Sequence, residues 1–124
     1  MSRSSTWLVS FCLLVVSVSA LDAAQARMSR QQLEGAWTFR ATAETDTPER
    51  EMPVGLIMEF RSDGTVISKM PNGDQEAVYR LDGETIRYRD ANGEQNWEIR
   101  SFKPDTSFVV DNRGMLMFFE RPKD

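Results

Sequence analysis

The chain has 124 residues, a formal net charge of −4, no histidine and one cysteine, Cys12. Without imidazole there can be no Ser-His-Asp or Cys-His catalysis and no histidine-ligated zinc, and the acidic balance argues against nucleic acid as a partner. A chain of this size supports one domain with one modest core.

The first segment to identify is the N-terminal one. After Met1-Ser2-Arg3 comes an apolar run, WLVSFCLLVVSV, from Trp7 to Val18, and then a small-residue region ending AAQA at Ala26. A basic start, an apolar stretch and an A-x-A step together make a secretory signal peptide. The run is too short for a bilayer span, which takes about 20 apolar residues. Residues 1–26 are therefore read as a cleaved signal peptide, with a cut after Ala26 or, following VSA, after Ala20. Residues 27–124 are read as one exported domain, periplasmic or secreted and not membrane-spanning. Phe11 is bulky where a lipidation site wants a small residue, so Cys12 is not read as an anchor. Cleavage removes Cys12, and the mature domain must stand on its core without a disulfide. From Arg27 onward there are fourteen Lys and Arg against eighteen Asp and Glu.

Next comes SRQQLEGAW. Ser29 followed three residues later by Gln32 is a capping-box pattern, and Gly35 is a natural stop, so one helical turn is expected over residues 30–34. From there the chain divides into short segments in which apolar and charged residues alternate, each ended by a turn signal. Asp63-Gly64, Asn72-Gly73, Asp82-Gly83 and Asn92-Gly93 supply the positive φ that tight hairpins need. Eight strands are expected, at 36–43, 54–61, 65–70, 76–81, 85–90, 95–102, 106–111 and 114–121. The predicted class is all-β, an eight-stranded antiparallel up-and-down barrel (a meander) with a short N-terminal helical turn.

Alternation assigns an inward set: Trp37, Phe39, Leu56, Met58, Phe60, Val66, Met70, Tyr79, Leu81, Ile86, Tyr88, Trp97, Ile99, Phe108, Val110, Met115, Met117 and Phe119. A barrel of eight strands is just wide enough to be filled by its side chains or to hold one small ligand, and this many large residues favours filling. If a ligand is held, Tyr79 and Tyr88 are the polar handles, because a buried phenol needs a partner. Met58 and Met117 are then the adaptable apolar walls.

Three other features were weighed in chain order. The longest connection, TAETDTPEREMPVG at 42–55, carries Glu44, Asp46, Glu49 and Glu51 and reads as a solvated charged loop. The stretch DANGE places Asp90, Asn92 and Glu94 on alternate residues like part of a calcium loop. Its glycine is misplaced and the bidentate Glu is missing, so a plain hairpin is expected and no metal or cofactor is assigned. Lastly, GLIMEF and MLMFFE are apolar on both faces. This leaves Ile57, Val109, Leu116 and Phe118 outward, as a patch covered by the turn carrying Leu33, by a second copy of the chain in a homodimer, or by another protein. No catalytic residues are assigned, and no spacing pairs carboxylates for acid–base work.

LEGAW, with Leu33, Gly35 and Trp37, resembles the L-x-G-x-W opening of the first strand in lipocalins and related small bacterial lipocalin-like domains. The resemblance implies that Trp37 closes one end of the barrel and that Arg121, in FFERP, packs across it. It also implies a non-enzymatic module that takes a small apolar molecule at the open end. The chain departs from typical lipocalins in being shorter, in lacking a T-D-x-x-Y signature and in leaving no room for a C-terminal helix. Some exported protease-inhibitor barrels also open with G-x-W. A protein-interaction role through the outer patch, the long loop or the N-terminal segment is therefore the alternative.

Overall fold

The computed structural model describes residues Met28–Lys123, so the leader read at residues 1–26 and its cleavage site lie outside the described residues. One helical turn, α1 (Arg30–Leu33), precedes eight strands. These are β1 (Gly35–Glu44), β2 (Met52–Phe60), β3 (Thr65–Lys69), β4 (Gln75–Asp82), β5 (Thr85–Asp90), β6 (Gly93–Lys103), β7 (Ser107–Asn112) and β8 (Met115–Glu120). Each strand pairs antiparallel with the next, and β8 returns to β1, closing the barrel in sequence order.

Local chemistry accounts for the elements. The turn α1 starts at a reciprocal capping box, in which Gln32 N donates to Ser29 Oγ and Ser29 N donates to Gln32 Oε1. At the β5–β6 hairpin, Asn92 N donates to Asp90 Oδ1 at 2.9 Å, so this carboxylate is spent on the turn backbone. Every strand boundary falls within two residues of the alternation-based one. The long connection, however, is shorter than expected: β1 runs to Glu44 and β2 begins at Met52, which leaves 45–51 between them.

Two register shifts bend the barrel. Both ladders of β1 shift between Phe39 and Ala41, and the β6–β7 ladder shifts between Ile99 and Ser101. The extra residue is Arg40 in the β1–β8 ladder and Arg100 in the β6–β7 ladder, whereas in the β1–β2 ladder it lies on β2, where Val54 and Gly55 face Arg40 alone. Each raises the local twist, which helps a short sheet close on itself. Beyond the first shift, Ala41 and Ala43 come opposite Phe118 and Leu116.

The interior is filled. Trp37 meets Phe108 edge-on at 4.7 Å, Phe108 stacks on Phe119 at 4.6 Å, Phe119 on Trp97 at 5.7 Å, and Trp97 on Tyr88 at 4.5 Å. This run of rings crosses the barrel from β1 to β5. Full burial of each large apolar side chain stabilises by about 1.5–3 kcal/mol. The inward set needs correcting at its edges. Met115 is 39% exposed, whereas Met28 and Ala77 join the core cluster, and Ala41, Ala43 and Ile67 are buried outside it. Leu33 is fully buried within the core cluster together with Met28, so it plugs the barrel and does not cover the outer face.

Candidate functional site

The two ends of the barrel are built differently, and their contrast defines the candidate site. At one end lie α1, the start of β1, the end of β8 and the β2–β3, β4–β5 and β6–β7 connections. Here the Arg121 guanidinium stands 3.8 Å from the centre of the Trp37 ring, within cation–π range. It donates from Nη1 to Ala36 O and from Nη2 to Gln32 O and Glu34 O, at 2.8–3.0 Å. Three carbonyls left over from the end of α1 and the start of β1 thus converge on one planar fork. Trp37 Nε1 donates to Leu33 O at 2.7 Å. Burial draws the Arg121 pKa below its ordinary value, with Asp105 acting against that shift. Gly35 has φ +109°, and a Cβ there would lie 2.9 Å from Arg121 Nη1, so both the conformation and the space call for glycine. Gly35, Trp37 and Arg121 therefore sit in one contact set that seals this end.

The opposite end carries the β1–β2, β3–β4, β5–β6 and β7–β8 connections. Between β1, its loop and β8 lies an open cavity of about 440 Å³, bounded by Thr42, Ala43, Glu44, Thr47, Arg50, Glu51, Met52 and Met115. Met52 is 69% exposed, which is unusual for an apolar side chain on a strand. A second open cavity, of about 390 Å³, is bounded by Gln75, Glu76, Tyr88, Asp90 and Asn92.

The four residues singled out as ligand contacts do not sit together at this end. Tyr79 and Tyr88 are direct cross-strand partners. Yet Tyr79 Oη donates to Arg61 O at 2.6 Å, in the β2–β3 turn at the sealed end, and is already satisfied. Tyr88 borders the second cavity and is the polar handle of the pair at the open end. Burial pushes the phenols of Tyr79 and Tyr88 above their ordinary pKa, so both are neutral. Met58 and Met117 are buried within the packed core.

Three polar residues that the inward set left out line the open end. Ser68 is buried. Gln95 Oε1 accepts from Trp97 Nε1 at 2.9 Å and from Asn112 Nδ2 at 3.1 Å. Asn112 Oδ1 is buried and has no hydrogen-bond partner among the described residues. Parity alone places Gln95 with Trp97 and Asn112 with Phe108 and Val110, but it does not show that a polar residue near a strand end stays inside the barrel.

The outer apolar residues are only partly a patch. Val109 pairs with Phe118, while Leu116 pairs with Asp111. Ile57, 41% exposed, stands in another row, opposite Thr38 and Lys69. The Arg40 guanidinium lies 5.2 Å from the Phe118 ring centre. It is fixed there by two hydrogen bonds to Glu51 and by Glu120 at 3.7 Å. The chain thus supplies its own cover for Phe118, from the bulge in β1.

No protein-family model matches the sequence, and no curated protein matches it. Two solved structures share the fold. One is a lipocalin-like protein from Bacteroides uniformis, 17% identical, with a TM-score of 0.60 over 73% of this chain and 99% of that one. The other is an uncharacterized protein from Bacteroides eggerthii, 14% identical, with a TM-score of 0.58 over 72% of this chain and 98% of that one. The chain has a lipocalin-like fold.

Proposed function

We propose that the domain is an exported, non-enzymatic binding protein that takes a small, largely apolar molecule at the open end of its barrel. The observation that carries the proposal is the asymmetry of the ends. Arg121, Trp37 and Leu33 close one end with buried, paired groups, and the other offers a cavity of about 440 Å³ with Met52 and Met115 in its wall. Ligand sites are concave and mostly apolar with a few placed polar groups. The flexible thioethers of these two residues suit a ligand whose shape the wall must follow. Because the interior is packed with stacked rings, the ligand sits at the mouth and not in a deep calyx. Export follows from the leader read at residues 1–26.

The non-catalytic reading is supported by what the Glu51 carboxylate does. Arg40 holds the Glu51 carboxyl below its ordinary range, the reverse of what a general acid at neutral pH requires. Against the alternative of docking a protein or a second copy through Ile57, Val109, Leu116 and Phe118 stands the Arg40 cover over Phe118.

Native mass spectrometry of protein purified from its own envelope tests the proposal. A low-molecular-mass adduct that organic extraction removes is expected. The bare polypeptide mass, together with no shift in melting temperature across a panel of small apolar molecules, would overturn it.

A further inference from the structure

The open end contains one polar group whose orientation the fold dictates and whose partner is missing. Indole N–H is a donor only, so the Trp97 hydrogen bond requires Gln95 to present Oε1. The same oxygen accepts from Asn112, which must therefore turn its Nδ2 toward Gln95. Exchanging the two ends of the Asn112 amide would bring two carbonyl oxygens face to face. Asn112 Oδ1 is thereby fixed as an acceptor pointing away from the pair, and it is buried without a donor among the described residues. A buried acceptor in that condition costs free energy until a donor reaches it.

Asn112 ends β7 directly opposite Met115, and Met115 is a wall of the larger open-end cavity. Asn112 itself is not part of that wall, so a molecule in the cavity reaches Oδ1 only if the unbranched, 39% exposed side chain of its strand partner Met115 moves. Methionine swings aside at low cost. The acceptor also selects the group that meets it: an anion would be repelled by a carbonyl oxygen, a cation would be drawn instead to Glu44 in the wall of the same cavity, and an O–H or N–H is matched to Oδ1.

Resting on the binding reading above, we infer that Asn112 Oδ1 is the polar anchor of the open-end site. It accepts a hydrogen bond from the O–H or N–H of a neutral molecule whose apolar body lies against Met115. This adds to the ligand class a requirement that pocket shape alone does not impose.

The test compares 4-propylphenol with 4-propylanisole, two probes that differ in whether the oxygen carries a hydrogen or a methyl group. Both are titrated into the mature chain and followed by two-dimensional NMR. The phenol is expected to bind about ten-fold more tightly, with the Asn112 side-chain amide signals among those most shifted. In Asn112→Leu the two affinities should come within about two-fold of each other. If that variant does not fold, Asn112→Ala is read the same way. Equal affinities in the unaltered chain, as a water held permanently on Oδ1 would also give, overturn the anchor while leaving the binding reading in place. Binding of neither probe up to its solubility overturns both.

Discussion

The sealed and open ends of this barrel are made from the same eight strands, yet they use their inward polar atoms in opposite ways. At the sealed end, Arg121 takes up three backbone carbonyls and Trp37 takes a fourth, so groups stranded by the end of α1 are satisfied within the chain. At the open end, Gln95 serves two donors and Asn112 Oδ1 serves none. Satisfied polar groups buried beside an aromatic ring rigidify, and one left over next to a cavity invites a partner from outside. The same fold thus separates a structural end from a receptive one.

That contrast can be broken by mutation, and the largest effect is expected at the seal. Trp37→Ala removes a fully buried ring that Arg121 and Phe108 contact, and should destabilise by about 3–5 kcal/mol in denaturant unfolding. A loss below about 1 kcal/mol would mean that the seal does not depend on the ring. Gly35→Ala should follow, at about 1–3 kcal/mol, because it combines a positive φ with a close approach to Arg121. At the open end the expectation is different in kind. Without ligand, Asn112→Leu should change stability by less than about 1 kcal/mol, since the lost hydrogen bond to Gln95 is offset by removing an unsatisfied acceptor from a site of similar shape. A loss comparable to that of Trp37→Ala would erase the distinction between the ends.

The smallest effect concerns pH. The hydrogen bond from Arg40 lowers the Glu51 pKa from 4.5. A carboxylate depressed in the folded state contributes stability above its unfolded pKa and loses it as pH falls through the folded value. Since Glu51 is exposed, the global melting temperature should barely move. The signals of the 45–51 connection and of Phe118 should nevertheless shift together below pH 4.5, as Arg40 lets go of the loop. If those signals titrate independently, the Arg40 bridge is not what holds the loop over the outer face.

The strand layout was legible because alternation and Asp-Gly or Asn-Gly pairs are local signals that turn geometry obeys directly. TIRYRD places Ile86 and Tyr88 in the core, and β5 has the bounds its sequence predicts. The bulges were not legible. Arg40 and Arg100 are charged residues in a charged-outward rhythm, so an added residue leaves the pattern looking intact while the register moves. Ala41 and Ala43 keep the parity of Trp37 and Phe39, yet the shift sets them opposite the outward Phe118 and Leu116, which no count of alternation shows. Leu33, read as a possible cover of the outer patch, is instead in the core, because a one-turn element carries no periodicity to say which surface it meets. Of the candidate site, Tyr88 was legible from parity and the need of a phenol for a partner. Gln95 and Asn112 were not, because polar residues at strand ends look like the start of a turn until the pairing places them inside.

The most direct test of the account maps where a bound molecule sits. Protein carrying its own ligand and protein stripped by organic extraction are compared by amide and indole NMR shifts. The account predicts changes concentrated at Met52, Tyr88, Trp97, Asn112 and Met115, with Leu33, Gly35, Trp37 and Arg121 unmoved. Changes centred on the Arg121–Trp37 seal, or on the outer face around Ile57, would contradict it.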